Sequence, residues 1–202
     1  MKFLFAVALG YLLGSIPTGV LLTRKLKPGL DLRSIGSGNI GATNVSRALG
    51  MKWAVLTMLG DCAKGLIPVL FARWIGVSPM GVAITGIAAF LGHVYPIYLQ
   101  LRGGKGVATA LGVLIGIAPA TAGLALLIWA AASMIARTTT VGALSASLAI
   151  PILVIGTAPP GPLRGPAIFT SLILCPMVFY THRENIRKLI RGDISLSREP
   201  KE

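Results

Sequence analysis

Three short polar segments interrupt an apolar chain, and each carries residue types suited to holding an oxyanion. The first reads "SIGSGNIGATN" from Ser34 to Asn44, with Arg47 three residues further on. Gly36, Gly38 and Gly41 permit positive φ and close backbone approach, while Ser37, Asn39, Thr43 and Asn44 supply short neutral donors. Thr43 or Asn44 is placed to cap a short helix running through Ala48, whose free N–H groups would face an anion. A flexible polar linker is the plainer alternative. The second segment is "LRGGKG", Leu101 to Gly106, preceded by Gly92-His93-Val94-Tyr95-Pro96. Arg102 and Lys105 give positive charge, and Gly103, Gly104 and Gly106 leave their N–H groups uncovered, the ingredients of an anion-binding nest. A cationic turn at a membrane surface is the competing reading. A Walker A loop is excluded, because Leu99 and Gly106 stand where that motif needs glycine and a hydroxyl residue, so no nucleotide is expected. The third segment, Thr181 to Gly192, holds His182 and Asn185 at a spacing that shares one helical face, and Glu184 likewise with Arg187 or Lys188. Neutral histidine can orient a hydroxyl or accept its proton, and asparagine can bind a phosphate or carbonyl oxygen; a basic, snorkelling helix end is the bland alternative.

The elements that position these segments are set by composition. Of 202 residues 54% are hydrophobic and only 12% charged, which marks an integral membrane protein. The formal net charge of +13 suits loops facing anionic headgroups or anionic substrates. Nucleic acid is a poor partner, since the cations are scattered among short loops with no soluble domain to present them. Cys62 and Cys175 fall inside apolar runs and read as small buried hydrophobes. Apolar spans are expected at residues 3–22, 53–72, 79–100, 107–118, 120–136, 141–157 and 166–181. Pro119 divides 107–136 into two short helices, or else kinks one. Seven spans gather 15 of the 19 Lys and Arg on one side, which makes that side cytoplasmic and the amino terminus periplasmic. Six spans would set the basic carboxyl-terminal segment against the basic first loop. All three polar segments then converge on the cytoplasmic face, joined by Thr138, Thr139 and Thr140 in the fourth cytoplasmic turn.

Within the spans, Asp61 and Lys64 lie three apart and are expected to pair in a structural role. His93 either lines the site or is a satisfied buried histidine. Carboxylates are scarce, namely Asp31, Asp61, Glu184, Asp193, Glu199 and Glu202, so a clustered-carboxylate metal site is hard to build and neither metal nor cofactor is expected. Anion-binding elements above hydrocarbon-lined helices suit a substrate with a phosphate head and a fatty tail.

The segments "SIGSGNIGATNVSRALG", "GHVYPIYLQLRGGKGVATALG" and "HRENIRKLIRG", in this order and at these separations, resemble the three motifs of the bacterial acyl-phosphate:glycerol-3-phosphate acyltransferase family, known as PlsY. The likeness extends over essentially the whole chain, so residues 1–202 are expected to form one membrane-embedded acyltransferase domain in the bacterial inner membrane. It implies seven helices, an active site facing the cytoplasm, and acyl transfer from acyl phosphate to the 1-hydroxyl of glycerol 3-phosphate. Lysophosphatidic acid and inorganic phosphate would be the products, with membrane lipids and an upstream acyl-phosphate-forming enzyme as further partners. The resemblance carries site roles to Ser37, Asn39, Thr43, Asn44 and Arg47, and glycerol 3-phosphate binding to Gly103, Gly104, Lys105 and Gly106. It carries roles also to His182 and Asn185, with Glu184 structural. Thr140 and Ala143 depart from it, standing where many relatives have serine. The proton acceptor stays open between His182 and the leaving phosphate. An acyltransferase of the type that uses a His-x₄-Asp pair is excluded, because Tyr98 and Arg187 stand five residues after His93 and His182. A transporter of a small phosphorylated anion is the rival class; it predicts inverted repeats, and the sequence contains no internal repeat.

Overall fold

A computed structural model describes residues 1–158 and 160–192. Regular structure among the described residues is helical: α1 Lys2–Gly14, α2 Thr18–Leu26, α3 Ala42–Leu49, α4 Met51–Trp74, α5 Pro79–Val94, α6 Val107–Ile117, α7 Pro119–Ile135, α8 Thr139–Thr157, α9 Arg164–Thr181 and α10 Arg183–Ile190. Four stretches are long and apolar enough to cross a membrane, namely Lys2–Leu26, Met51–Trp74, Pro79–Leu99 and Thr139–Thr157. A fifth is α9 continued by α10 across a 56° bend, and α6 and α7 are shorter apolar helices.

Proline sets the breaks. The first expected span, continuous over 3–22, is instead two helices separated at Ser15–Pro17. Pro17 has no N–H to continue the ladder, and Ser15 turns its hydroxyl onto the Tyr11 carbonyl at 2.8 Å. The Ile16 carbonyl at the break accepts a hydrogen bond from Lys64 Nζ of α4 at 2.7 Å. The third expected span stops as an α-helix at Val94, because the residue before Pro96 is pushed out of helical backbone. The chain continues there as a single 3₁₀ turn, Ile97–Leu99. Pro119 opens α7 rather than kinking a long helix, so residues 107–136 are two helices meeting at Ala118.

The helices pack as close pairs, α1 on α5, α4 on α6 and α7 on α8. Small residues make that possible, as is usual where lipid removes the hydrophobic drive between helices. A Cβ on Gly14 would overlap the Ala89 carbonyl, and one on Gly112 the Cys62 carbonyl. Where α4, α5, α6 and α9 meet, Val69, Phe90, Val113 and Leu174 form a buried core. Outside this bundle, α3 has its own small core of Leu32, Val45 and Ala48, closed by Trp53 at the start of α4. Lys27 Nζ donates to the Ala48 carbonyl at 2.7 Å and ties down the carboxyl end of α3. An Arg33 to Arg102 carbonyl contact of 3.4 Å brings the first polar segment beside the second.

Replacing Gly112 by Val is expected to cost about 3 kcal/mol of stability, since the added methyls meet the α4 backbone. The same change at Gly123 of α7, where a side chain meets open space, is expected to be neutral. Melting of the two purified variants in one detergent checks the contrast.

Candidate active site

One cavity of about 630 Å³ gathers residues from all three polar segments and continues into an apolar groove. Its head is lined by Ser37, Asn39, Thr43 and Arg47 of the first segment, Lys105 and Gly106 of the second, and His182, Asn185 and Lys188 of the third. Thr138, Thr139 and Thr140 close a further side. Below them Met58, Leu111, Leu114, Leu126, Trp129 and Ile150 line a hydrocarbon-like channel between α4, α6, α7 and α8. Gly38, Asn44, Gly103, Gly104, Glu184 and Lys64 do not line it.

Asn44 is a strut. Its amide donates to the carbonyls of Leu32 at 2.6 Å and Ile35 at 3.0 Å, which folds the first segment back over α3. The helix begins at Ala42 with Gly41 as its N-cap and no side-chain cap, so neither Thr43 nor Asn44 has the capping place expected of it. Gly36, at φ 53°, lies against Asn44 Oδ1 and the Arg47 guanidinium, where a side chain would collide with both. Arg47 has no acidic partner among the described residues.

The glycines of 101–106 work differently from a nest. The N–H groups of Gly103 and Gly104 donate to the carbonyls of Val94 and His93, each at 3.1 Å, so these two donors are spent inside the protein. What the glycines supply is space: a Cβ at 103 would overlap the His93 carbonyl, one at 104 the His93 imidazole, and one at 106 the Phe90 ring. The loop can therefore lie flat on the end of α5. Free N–H groups remain in the first turn of α6, which opens on the cavity at Gly106, Val107 and Ala108. Arg102 stays outside the cavity, and Lys105 is the cation that enters it. Thr181 Oγ1 fixes the Lys105 carbonyl at 3.1 Å.

Burial pushes the Lys105 ammonium down to about 8, and the neighbouring charges of Lys188 and Arg47 add to the effect. Three cations from three separate elements thus share one cavity head. The sequence offers Lys188 only as a possible partner of Glu184, although its position three residues after Asn185 puts it on the same helical face.

His182 stands at the corner between α9 and α10 and is 3% exposed. Its Nδ1 lies 2.8 Å from the Val178 carbonyl, which requires Nδ1 to carry the proton and leaves Nε2 as an acceptor. Burial holds the ring down to about 4; the Val178 carbonyl opposes this and Lys105 reinforces it. Asn185 Nδ2 donates to Thr140 Oγ1 at 2.8 Å, so the threonine retains a hydroxyl contact within the site. Glu184 pairs with Arg187 at 2.6 Å on an exposed face, a contact worth little in stability.

Asp61 pairs with Lys64 at 2.9 Å, as their spacing suggested. Asp61 also lines the cavity, as does His93. The histidine is not internally satisfied: its buried Nδ1 has no hydrogen-bond partner and lies 3.7 Å from Asp61 Oδ1.

A helical membrane protein whose cavity joins a triple-cation head to an apolar channel is shaped for a molecule with a phosphate head and an apolar tail. The family described as glycerol-3-phosphate acyltransferase matches residues 4–192. The glycerol-3-phosphate acyltransferase of Geotalea daltonii is 50% identical over 90% of this chain and 91% of its own length. That of Geobacter sulfurreducens is 47% identical over 94% of each chain. A crystal structure of PlsY, an integral membrane glycerol 3-phosphate acyltransferase in its glycerol 3-phosphate form, superposes with a TM-score of 0.87 at 39% identity, covering 95% of this chain and 94% of that one. A second, in the lysophosphatidic acid form, gives 0.85 at 37% identity. The chain belongs to the glycerol-3-phosphate acyltransferase family.

Because Lys105 is half-discharged at about pH 8, affinity for inorganic phosphate is expected to fall as the pH rises through 8. In Lys105→Arg the fall moves beyond the accessible range, arginine staying charged. Calorimetric titration of the two proteins with phosphate measures this.

Proposed function

We propose that the protein transfers a fatty acyl group from acyl phosphate to the 1-hydroxyl of glycerol 3-phosphate, releasing lysophosphatidic acid and inorganic phosphate. The observation that carries this reading is the continuity of the cavity, from Arg47, Lys105 and Lys188 at its head into the apolar channel beside Leu114 and Ile150. From Thr140 to Ile150 along α8 is roughly 15 Å at 1.5 Å per residue, about one leaflet of a ~30 Å hydrocarbon core. Membership of the family supports the acceptor, and the chemistry of the head supports an acyl phosphate donor.

An acyl phosphate is a mixed anhydride, already activated, so no covalent enzyme intermediate is required. The glycerol oxygen attacks the carbonyl carbon, the bond from that carbon to the phosphate oxygen breaks, and its electron pair leaves with phosphate. Arg47, Lys105, Lys188 and the first turn of α6 hold the two phosphates close and stabilise the charge that develops. Ser37, Asn39, Thr43 and Thr140 add neutral donors around the phosphates, and Asn185 is held by Thr140 to meet a phosphate or carbonyl oxygen. Asn44, Gly103 and Gly104 act by shaping the loops. His182 keeps Nε2 unprotonated at neutral pH and receives the hydroxyl's hydrogen bond. A ring held near 4 is a weaker base than the phosphate oxygen freed as the anhydride bond breaks, so the proton passes to the leaving phosphate.

The same reading places seven spans in the bacterial inner membrane, with the amino terminus periplasmic and the site facing the cytoplasm. It is supported by the 15 of 19 basic residues that this arrangement gathers on one side. Residues 1–202 then form one acyltransferase domain. Acyl phosphate would come from an acyl-phosphate-forming enzyme.

Purified protein is expected to release phosphate only when acyl phosphate and glycerol 3-phosphate are both present; no release from folded protein sinks the reading. His182→Gln should lower kcat by about 10²-fold, a typical value for one positioned polar group, yet keep the shape of the acid limb. Loss of that limb in the variant would make histidine the base. For topology, single cysteines at 164 and 191 in a chain with Cys62 and Cys175 replaced should label from opposite faces of the membrane.

A further inference from the structure

The cavity has cations and neutral donors in excess, yet an acceptor bearing hydroxyl groups needs acceptors as well. Asp61 is the only carboxylate among the described residues that line it. Both of its close contacts, Lys64 Nζ at 2.9 Å and His93 Nδ1 at 3.7 Å, fall on Oδ1. Oδ2 takes part in neither contact, and Asp61 lines the cavity. Lys64 pairs with the carboxylate but is itself committed to the Ile16 carbonyl, so it does not compete for phosphate. His93 lies between this pair and the catalytic loop: one ring nitrogen faces Asp61, and the other lies against Gly104, next in sequence to Lys105. Asp61 therefore stands one imidazole width from the loop that holds the phosphate.

A carboxylate this near two bound phosphates is repulsive unless it meets a donor. Of the groups a glycerol phosphate brings, only its hydroxyls are donors. One of them reacts and must reach the acyl carbonyl near His182; the other does not react. We infer that Asp61 Oδ2 accepts a hydrogen bond from the non-reacting hydroxyl of glycerol 3-phosphate, with His93 closing on Oδ1 to hold the carboxylate in place. Asp61 is then a specificity-determining residue of the acceptor site, in addition to its pairing with Lys64. This rests on the acyl-transfer reading above.

The test compares glycerol 3-phosphate with 3-hydroxypropyl phosphate, which keeps the phosphate and the reacting hydroxyl and lacks the one at carbon 2. Phosphate release by the intact purified protein gives kcat/KM for each. Wild type is expected to prefer glycerol 3-phosphate by about 10- to 100-fold, the range for one hydrogen bond to a charged group. Asp61→Leu combined with Lys64→Met removes the pair without leaving an orphan charge, and there the preference is expected to collapse. A variant that slows both acceptors by one common factor and keeps their ratio overturns the proposal, since that is what a purely structural pair would give. Wild type turning over both acceptors with equal efficiency overturns it without any variant. Absence of release with either acceptor overturns the acyl-transfer reading and this proposal with it.

Discussion

Three like charges held together at the edge of an apolar channel are the constraint on which the rest of the structure depends. Arg47, Lys105 and Lys188 repel one another, and the Lys105 ammonium is further penalised by burial. Left to themselves the three side chains would turn toward water. Each is instead delivered by an element that cannot easily swing away. Arg47 rides on α3, which Leu32, Val45 and Ala48 pin to the bundle and Lys27 caps. Lys105 sits on a loop stitched to the end of α5 by the Gly103 and Gly104 amides and to α9 by Thr181. Lys188 comes in on α10, set by the 56° bend after α9 and by the Asn185 to Thr140 bond.

Buried polar pairs carry that rigidity down into the helices. At the break between α1 and α2, the Ile16 carbonyl drops out of the helical ladder and accepts from Thr18 N–H at 3.1 Å, in a setting where an unmet carbonyl is expensive. Lys64 meets it and Asp61 neutralises Lys64. The small residues at Gly14 and Gly112 let helix backbones touch, so this cluster and the 101–106 loop are separated by little more than the His93 ring. A membrane protein with larger side chains at those positions would hold its helices apart and lose the alignment.

What could be read from the sequence was whatever is local. Apolar runs, the three polar segments, the proline that splits residues 107–136 and the Asp61–Lys64 spacing all follow from neighbours within a turn or two. Glycine misled, because in sequence a glycine that bares its amide and a glycine that makes room for a neighbour look alike; Gly104 is the second kind, and its neighbour His93 is eleven residues away. Asn44 looked like a ligand donor because its short amide is one, yet the carbonyls of Leu32 and Ile35 claim it. The break at Pro17 was missed for a related reason: the stretch is apolar enough to span, and what tolerates the break is Lys64 on another helix. Contacts of that kind, including Asp61 with His93, exist only once helices are docked.

The charge balance of the filled site follows from the same residues. Two phosphate groups bring about −1.5 to −2 charges each at neutral pH, against Arg47, Lys105 and Lys188. The three cations already offset most of that total of about −3 to −4, so no further positive charge is needed, and here the burial of His182 matters. An imidazolium at that corner would add a fourth positive charge beside the departing phosphate and slow its release. A ring held down to about 4 adds none, while its Nε2 still accepts a hydrogen bond. The empty site repels itself and the filled site is nearly neutral, so the substrates supply the counter-charge that the protein's scarce carboxylates do not.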